Sequence, residues 1–226
     1  MQCTRLRVTF REKLPQGTLP QHVRKVCLGI VEDTHPAWDT VCNHRLIYPR
    51  LHFNLPGKDS FFFTGIGDRG SLAVAALMEA FQSRPVVLGN QPLTLADMGM
   101  RRQDIELRTI SGLIAYTLRT PMHMFLHGRR IAERTGDLAK DYQDALKRHF
   151  GWLFGQFGLT PGVPFRVYVQ DVHENFLRVK EGLKLCPAMA RGRIVTNVAL
   201  PPAVGHGVGL GWGCLRKLDN KQAYAR

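Results

Sequence analysis

Between Cys3 and Gly89 the apolar residues change their spacing in an order that few folds can accommodate. CTRLRVTF alternates, with Leu6, Val8 and Phe10 on one side and Arg5, Arg7 and Thr9 on the other, the pattern of a half-buried strand. The proline-rich KLPQGTLP ends it, and Thr18 or Gln21 opens a helix whose Val23, Val26, Cys27 and Ile30 fall at i, i+3, i+4 and i+7. After an irregular stretch come a strand near 50–54, a turn at Pro56-Gly57 and a strand at 60–64. A helix from Ser71 to about Gln82 follows, with Val74, Leu77, Met78 and Phe81 as its buried stripe, and PVVLG supplies a fourth strand. The order is β-α-β-β-α-β, the ferredoxin-like unit.

Within that order lies GIGDRGS, residues 65–71, a G-x-G-x-x-G between a strand and a helix. The same spacing marks dinucleotide sites, where it joins the first strand and first helix of a parallel repeat. Here it follows the third strand, one half of a hairpin. The acidic residue that would hold a ribose about 20 positions on is missing from Leu88 to Leu95, and Asp97 comes late. The expectation is a chain with no nicotinamide or flavin and no other small-molecule cofactor.

A loop rich in Gly, Pro and Met around 89–102 divides the chain. Beyond it, IELRTISGLIAYTLRTPMHMFL holds one or two strands, best from Leu113 to Leu118. The run HGRRIAERTGDLAKDYQDALKRHFGWLFGQFG ends in a helix faced by Ala145, Leu146, His149, Phe150, Leu153 and Phe154. FRVYVQDV and RGRIVTNVAL read as strands, and a last short strand follows VGHGVGLGWGC. This half is a second unit of the same kind, its final helix shortened or lost at Pro201-Pro202. The expected class is therefore α+β, two tandem ferredoxin-like units. The first spans 1–92 and the second 103–226, the latter with a basic helical insertion at about 119–158 and a glycine-rich loop at 205–213.

Thirty-one Lys and Arg oppose eighteen Asp and Glu, a net charge of +13, and such an excess attracts polyanions, nucleic acid first. The five cysteines are scattered without a C-x-x-C pair, which argues against a zinc site and a disulfide framework and for a reducing cytoplasm. There is neither a signal-peptide pattern nor an 18-residue apolar run, so no membrane partner is expected. No metal-ligating spacing of His, Cys, Asp or Glu appears either. Gly205, Gly207, Gly209, Gly211 and Gly213 alternate just before Arg216 and Lys217. In an extended segment that leaves one side bare main chain on which a polynucleotide can lie; a flexible surface loop is the plainer reading. Trp212 among them either stacks on a base or anchors the loop.

Three places, FTGIGDRGSLAV, IAYTLRTPMHMFLHGRRIAER and GVGLGWGCLRK, give the chain its resemblance to a family. It resembles the CRISPR-associated repeat-processing endoribonucleases of the RAMP superfamily, and among them the compact type IV member. The resemblance implies an enzyme that binds the repeat hairpin of pre-crRNA. The enzyme would cleave by attack of a 2′-OH on its own phosphate, without a metal ion, leaving 2′,3′-cyclic phosphate and 5′-OH ends. It would then stay on the crRNA beside other subunits of an effector complex. A non-catalytic RNA-binding subunit of such a complex is the alternative.

The resemblance places the chemistry in QHVRKV and VCNHRLIYPR. His44 titrates in the range needed for acid or base work. Arg24, Arg45 and Arg50 offer bidentate donors to phosphate, and Tyr48 can orient a phosphate or the 2′-OH. By resemblance Arg24 and Arg45 rank ahead of His44, and His22 behind it. His127, Arg129, Arg130 and Arg134 form a second basic cluster that the resemblance assigns to the groove of the hairpin, where arginines read shape and phosphates.

Overall fold

The structure is a computed structural model, and it describes residues 1–42, 49–55, 57–125, 134–178 and 184–219. Contacts divide the chain into two units. Met1–Ile105 with Gly209–Gly211 form the first, and Glu106–Val208 with the rest of the C-terminal segment form the second.

The first unit runs β1 (Gln2–Phe10), α1 (Pro20–Ile30), α2 (Trp38–Cys42), β2 (Leu51–Asn54), β3 (Ser60–Ile66), α3 (Gly67–Ser83), β4 (Val86–Leu88), β5 (Gln91–Leu93) and β6 (Leu95–Asp104). Its main sheet is wholly antiparallel, in the order β2-β3-β1-β6. The alternation of β1 has the expected effect, since Leu6 and Val8 are fully buried and Arg7 is exposed. Phe10, Phe61, Phe63 and Phe81 meet edge-on or tilted in the core, with centroids 4.8 to 6.4 Å apart. Helix α1 starts between the two expected positions, with Pro20 in its first turn, where the missing N–H costs nothing. The His22 ring accepts the Leu19 N–H at 3.2 Å, so this candidate serves the helix start.

Two expectations need correction. PVVLG is not the fourth strand of the sheet. β4 only pairs with β5 in a small hairpin, and the edge beside β1 is taken by β6. The supposed loop at 89–102 is thus largely strand, and the first unit extends beyond residue 92 to Ile105.

The second unit runs β7 (Arg108–Leu118), β8 (Met122–His123), α4 (Leu138–Gln156), β9 (Val167–Leu177), β10 (Cys186–Ala199), a 3-10 turn at Val208–Leu210 reaching into the first unit, and β11 (Leu215–Lys217). β11 pairs with β7 and β7 with β10; β9 takes the other edge of β10. With β6 and β11 as fourth strands, the two sheets have one topology, first strand between third and fourth. Among the described residues no α-helix separates β10 from β11, as the doublet Pro201-Pro202 implies. Of the basic helical insertion expected at about 119–158, residues 126–133 lie outside the described residues. α4 is the helix joining the unit's first two long strands, and it buries Tyr142, Leu146, His149, Phe150, Leu153 and Phe154. No helix among the described residues is long and apolar enough to cross a membrane.

Candidate RNA-processing site

The glycines of GIGDRGS have a steric task. β3 hands over directly to α3, so the helix's first turn lies against the strand that precedes it. A methyl on Gly65 would sit 2.1 Å from the Gly70 carbonyl oxygen and 2.8 Å from Val74, and one on Gly70 would sit 2.5 Å from the Arg50 carbonyl oxygen. That same carbonyl accepts the Ile66 N–H at 2.8 Å. The motif therefore packs a strand, a helix and the entry to β2 backbone to backbone.

Arg50, whose carbonyl makes that junction, follows the segment 43–48, which carries His44, Arg45 and Tyr48 and lies outside the described residues. The residues on either side of that segment, Cys42 and Pro49, are held within the first unit. On the N-terminal side the Arg24 guanidinium, from α1, donates to the carbonyl of Cys42 at the end of α2. Burial lowers the pKa of Arg24, offset in part by the Cys42 thiol. On the C-terminal side the Pro49 carbonyl oxygen accepts from His52 Nε2 at 3.0 Å. His52 is 2% exposed, and burial pulls its pKa down to about 4, against the smaller upward effect of that bond. Gly209 lies against Pro49; a methyl there would be 3.1 Å from the ring. One at Gly211 would be 2.7 Å from the Asn54 side-chain oxygen.

The glycine-rich loop is not the extended strip expected. Its base closes like a hairpin, Val204 N–H donating to the Gly213 carbonyl at 3.0 Å and Gly213 N–H to the Pro121 carbonyl at 2.8 Å. Gly205, Gly207, Gly211 and Gly213 all have positive φ, from 67 to 95°. A methyl on Gly213 would lie 1.8 Å from the Val204 carbonyl oxygen. Gly205 N–H donates to His149 Nε2 at 3.1 Å. Trp212 meets His123 edge-on at 4.9 Å and so takes the anchoring role. His123 is fully buried, and burial lowers its pKa to about 4, with the Pro187 backbone acting the other way. His52 and His123 had no distinguishing sequence signal, whereas the helical spacing already put His149 on a buried face.

Of the second basic cluster, His127, Arg129 and Arg130 lie outside the described residues. Arg134 is engaged inside the unit. Its guanidinium bonds Glu174 at 2.9 Å, approaches Asp141 at 3.5 Å and covers the Phe125 ring at 5.0 Å, leaving the side chain 14% exposed. Arg216 and Lys217 are exposed on β11. No group of three His, Cys, Asp or Glu among the described residues is placed to hold a metal ion.

No family model and no curated protein matches the chain. Solved structures do. It is similar to a crystal structure of Cas6b, at 17% identity and a TM-score of 0.72, over 96% of this chain and 100% of that one. It is also similar to Csf5, described as a type IV Cas6 crRNA endonuclease (13%, TM-score 0.54, 97% and 100%), and to a Cas6 product complex (16%, TM-score 0.58, 97% and 100%). The chain has the fold of the Cas6 and RAMP proteins, two ferredoxin-like units in tandem. The likeness to the type IV structure is looser than that to Cas6b.

Proposed function

We propose that this chain binds the repeat hairpin of a CRISPR transcript and cleaves it. The observation that carries the reading is the pair of anchors around residues 43–48, Arg24 on Cys42 and Gly209 on Pro49. They tie the first helix to one flank of the candidate segment and Gly209 of the glycine-rich loop to the other, in a strongly basic chain with a Cas6 fold. In this reading the ribose 2′-OH attacks the adjacent phosphorus, its proton leaves, and the departing 5′ oxygen is protonated. His44 supplies proton transfer, Arg45 and Arg50 neutralise the phosphorane, and Tyr48 orients the reacting groups. No metal is required. Arg24 is a positioning residue, because its guanidinium is committed to the Cys42 carbonyl. Arg216, Lys217 and the cluster at His127, Arg129 and Arg130 hold the hairpin through phosphates. The product stays bound as the guide of an effector complex with other subunits, because the groups that grip the hairpin are untouched by the cut.

Repeat RNA incubated with the protein in EDTA should yield cyclic-phosphate and 5′-OH ends, and a single 2′-deoxy at the cut should block cleavage at unchanged affinity. Arg45→Ala should slow single-turnover cleavage roughly a hundredfold or more, the scale of a lost oxyanion donor. Tight binding without any cleavage would leave the non-catalytic subunit as the function. Full activity after joint replacement of His44, Arg45 and Tyr48 would move the chemistry elsewhere.

A further inference from the structure

The side of the second sheet turned away from α4 carries a basin that, Arg216 apart, the reading above does not use. Across its strands Arg216 (β11), Thr117 (β7), Arg193 (β10) and Gln170 (β9) are successive register neighbours, so their side chains share one side. The next row, Tyr116, Ile194 and Val169, is buried on the other. Around that cationic row opens a pocket of about 520 Å³ lined by Arg191, Arg193, Arg216, His173 and Asp171, among others. Three guanidinium groups thus face one carboxylate.

The backbone beneath the pocket is bent locally. Met189 pairs with Glu174 and Arg193 with Gln170, four residues further along each strand, so the register is the same on both sides. Between them Arg191 pairs with His173, one step out of line. Two opposed bulges, one on each strand, therefore cancel. They re-aim Arg191, His173 and Asp171 while the rest of the sheet keeps its pairing. Asp171 has a φ of 53°, the sole non-glycine in that region among the described residues, and a methyl on Gly192 would sit 2.9 Å from Met189 Sδ. Left-handed backbone at a non-glycine residue concentrates at ligand sites.

We propose that this basin seats one nucleotide of a single-stranded RNA segment. Its phosphodiester lies on Arg191 and Arg193, beside the Arg216 that holds the hairpin, and a hydroxyl or amino donor of the nucleotide lies on Asp171. A bare anion is a poor fit because the Asp171 carboxylate repels it. Tyr168, two residues from Gln170 on the same side and 48% exposed, offers a ring on which a neighbouring base can stack. The proposal rests on the RNA-binding part of the reading above and adds a contact for strand outside the hairpin.

The test compares two labelled RNAs, a minimal repeat hairpin and the same hairpin with a single-stranded flank. Arg191→Ala/Arg193→Ala should weaken the flanked RNA about tenfold at moderate salt and reduce its log–log salt slope by about 0.7, one single-strand phosphate contact. The minimal hairpin should keep its affinity and its cleavage rate at saturation. Arg191→Glu alone should act in the same direction, which guards against misfolding of the double variant. Equal loss for both RNAs would assign the basin to the hairpin, and no loss for either would leave it without a nucleic-acid role. Displacement of the flank by inorganic phosphate at constant ionic strength, or by an acidic peptide in preference to RNA, would also overturn the proposal. If the wild-type protein cuts neither RNA, the binding arms still decide the basin while the catalytic reading falls.

Discussion

Both glycine-rich stretches of this chain follow the third strand of their unit. In the first unit, GIGDRG spans the junction of β3 and α3; in the second, residues 205–213 sit between β10 and β11. The residue and the topological place are the same, yet the glycines do different things. Gly65 and Gly70 let a helix start flush against a strand, with no backbone in the left-handed region at either. Gly205, Gly207, Gly211 and Gly213 need that region, because with no helix the chain must turn repeatedly to return to β11. Clearance and conformation are separate reasons for glycine, and spacing does not tell them apart. Where the repeat is complete its glycines hold the unit together, and where it is incomplete they let the chain turn back to β11, with Gly209 against Pro49.

The largest expected effect separates the two reasons within one motif. Gly65→Ala puts a methyl 2.1 Å from a backbone oxygen that cannot yield, whereas Gly67 has a φ of 70° and open space around it. Gly65→Ala should cost about 4 kcal/mol or more, among the largest point effects seen, and Gly67→Ala only about 1. Gly213→Ala combines both penalties and should match Gly65→Ala. Urea unfolding reads the order directly. A Gly65→Ala protein within 1 kcal/mol of wild type would mean that strand and helix are not in contact as described.

A second effect tests what the units share. Each holds a buried histidine kept neutral, His52 in the first and His123 in the second, with folded pKa values near 4. An unfolded histidine binds its proton near pH 6.5, so between about 6.5 and 4 the unfolded chain carries more protons than the folded one. Stability is therefore full above pH 6.5 and falls as the pH drops through that window, by up to about 2 kcal/mol per histidine at pH 5. Unfolding midpoints at pH 7.5 and 5.0 check the sign. His52→Asn should flatten the dependence by one group and leave the share of His123. An unchanged slope would show that His52 is not held neutral.

The parts of this fold legible in the sequence are those whose burial alternates. β1, α1, α3 and α4 each present one apolar side to a core, and their spacing records it. β6 was hidden because LADMGMRRQD lies at a sheet edge, mostly exposed, and joins β1 through backbone bonds that leave no trace in side-chain type. α2 is a five-residue turn of helix, too short to show a period. The arginines of the candidate site could be named from residue chemistry and resemblance, but not their commitments. Arg24 and Arg134 look alike in sequence to free surface cations, and only the fold shows one on a helix-end carbonyl and the other between two carboxylates. The bulge pair around Arg191 is a property of two strands at once, so no single stretch could reveal it.

The smallest effect returns to the helix starts. α3 begins without a side-chain cap, directly out of a central strand whose glycines fix its position. α4 begins from a loop and is capped by Asp137, whose carboxylate accepts the Lys140 N–H at 3.1 Å. If strand contact replaces capping in the first unit and the cap does that work in the second, Asp137→Ala should cost about 1 kcal/mol while Asp137→Asn, which keeps the acceptor, costs a few tenths. Isothermal urea curves of the two variants resolve that difference. Equal losses would assign the effect to the negative charge near the helix dipole, and no loss from Asp137→Ala would mean that α4 is positioned by its buried face alone, just as α3 is positioned by its strand.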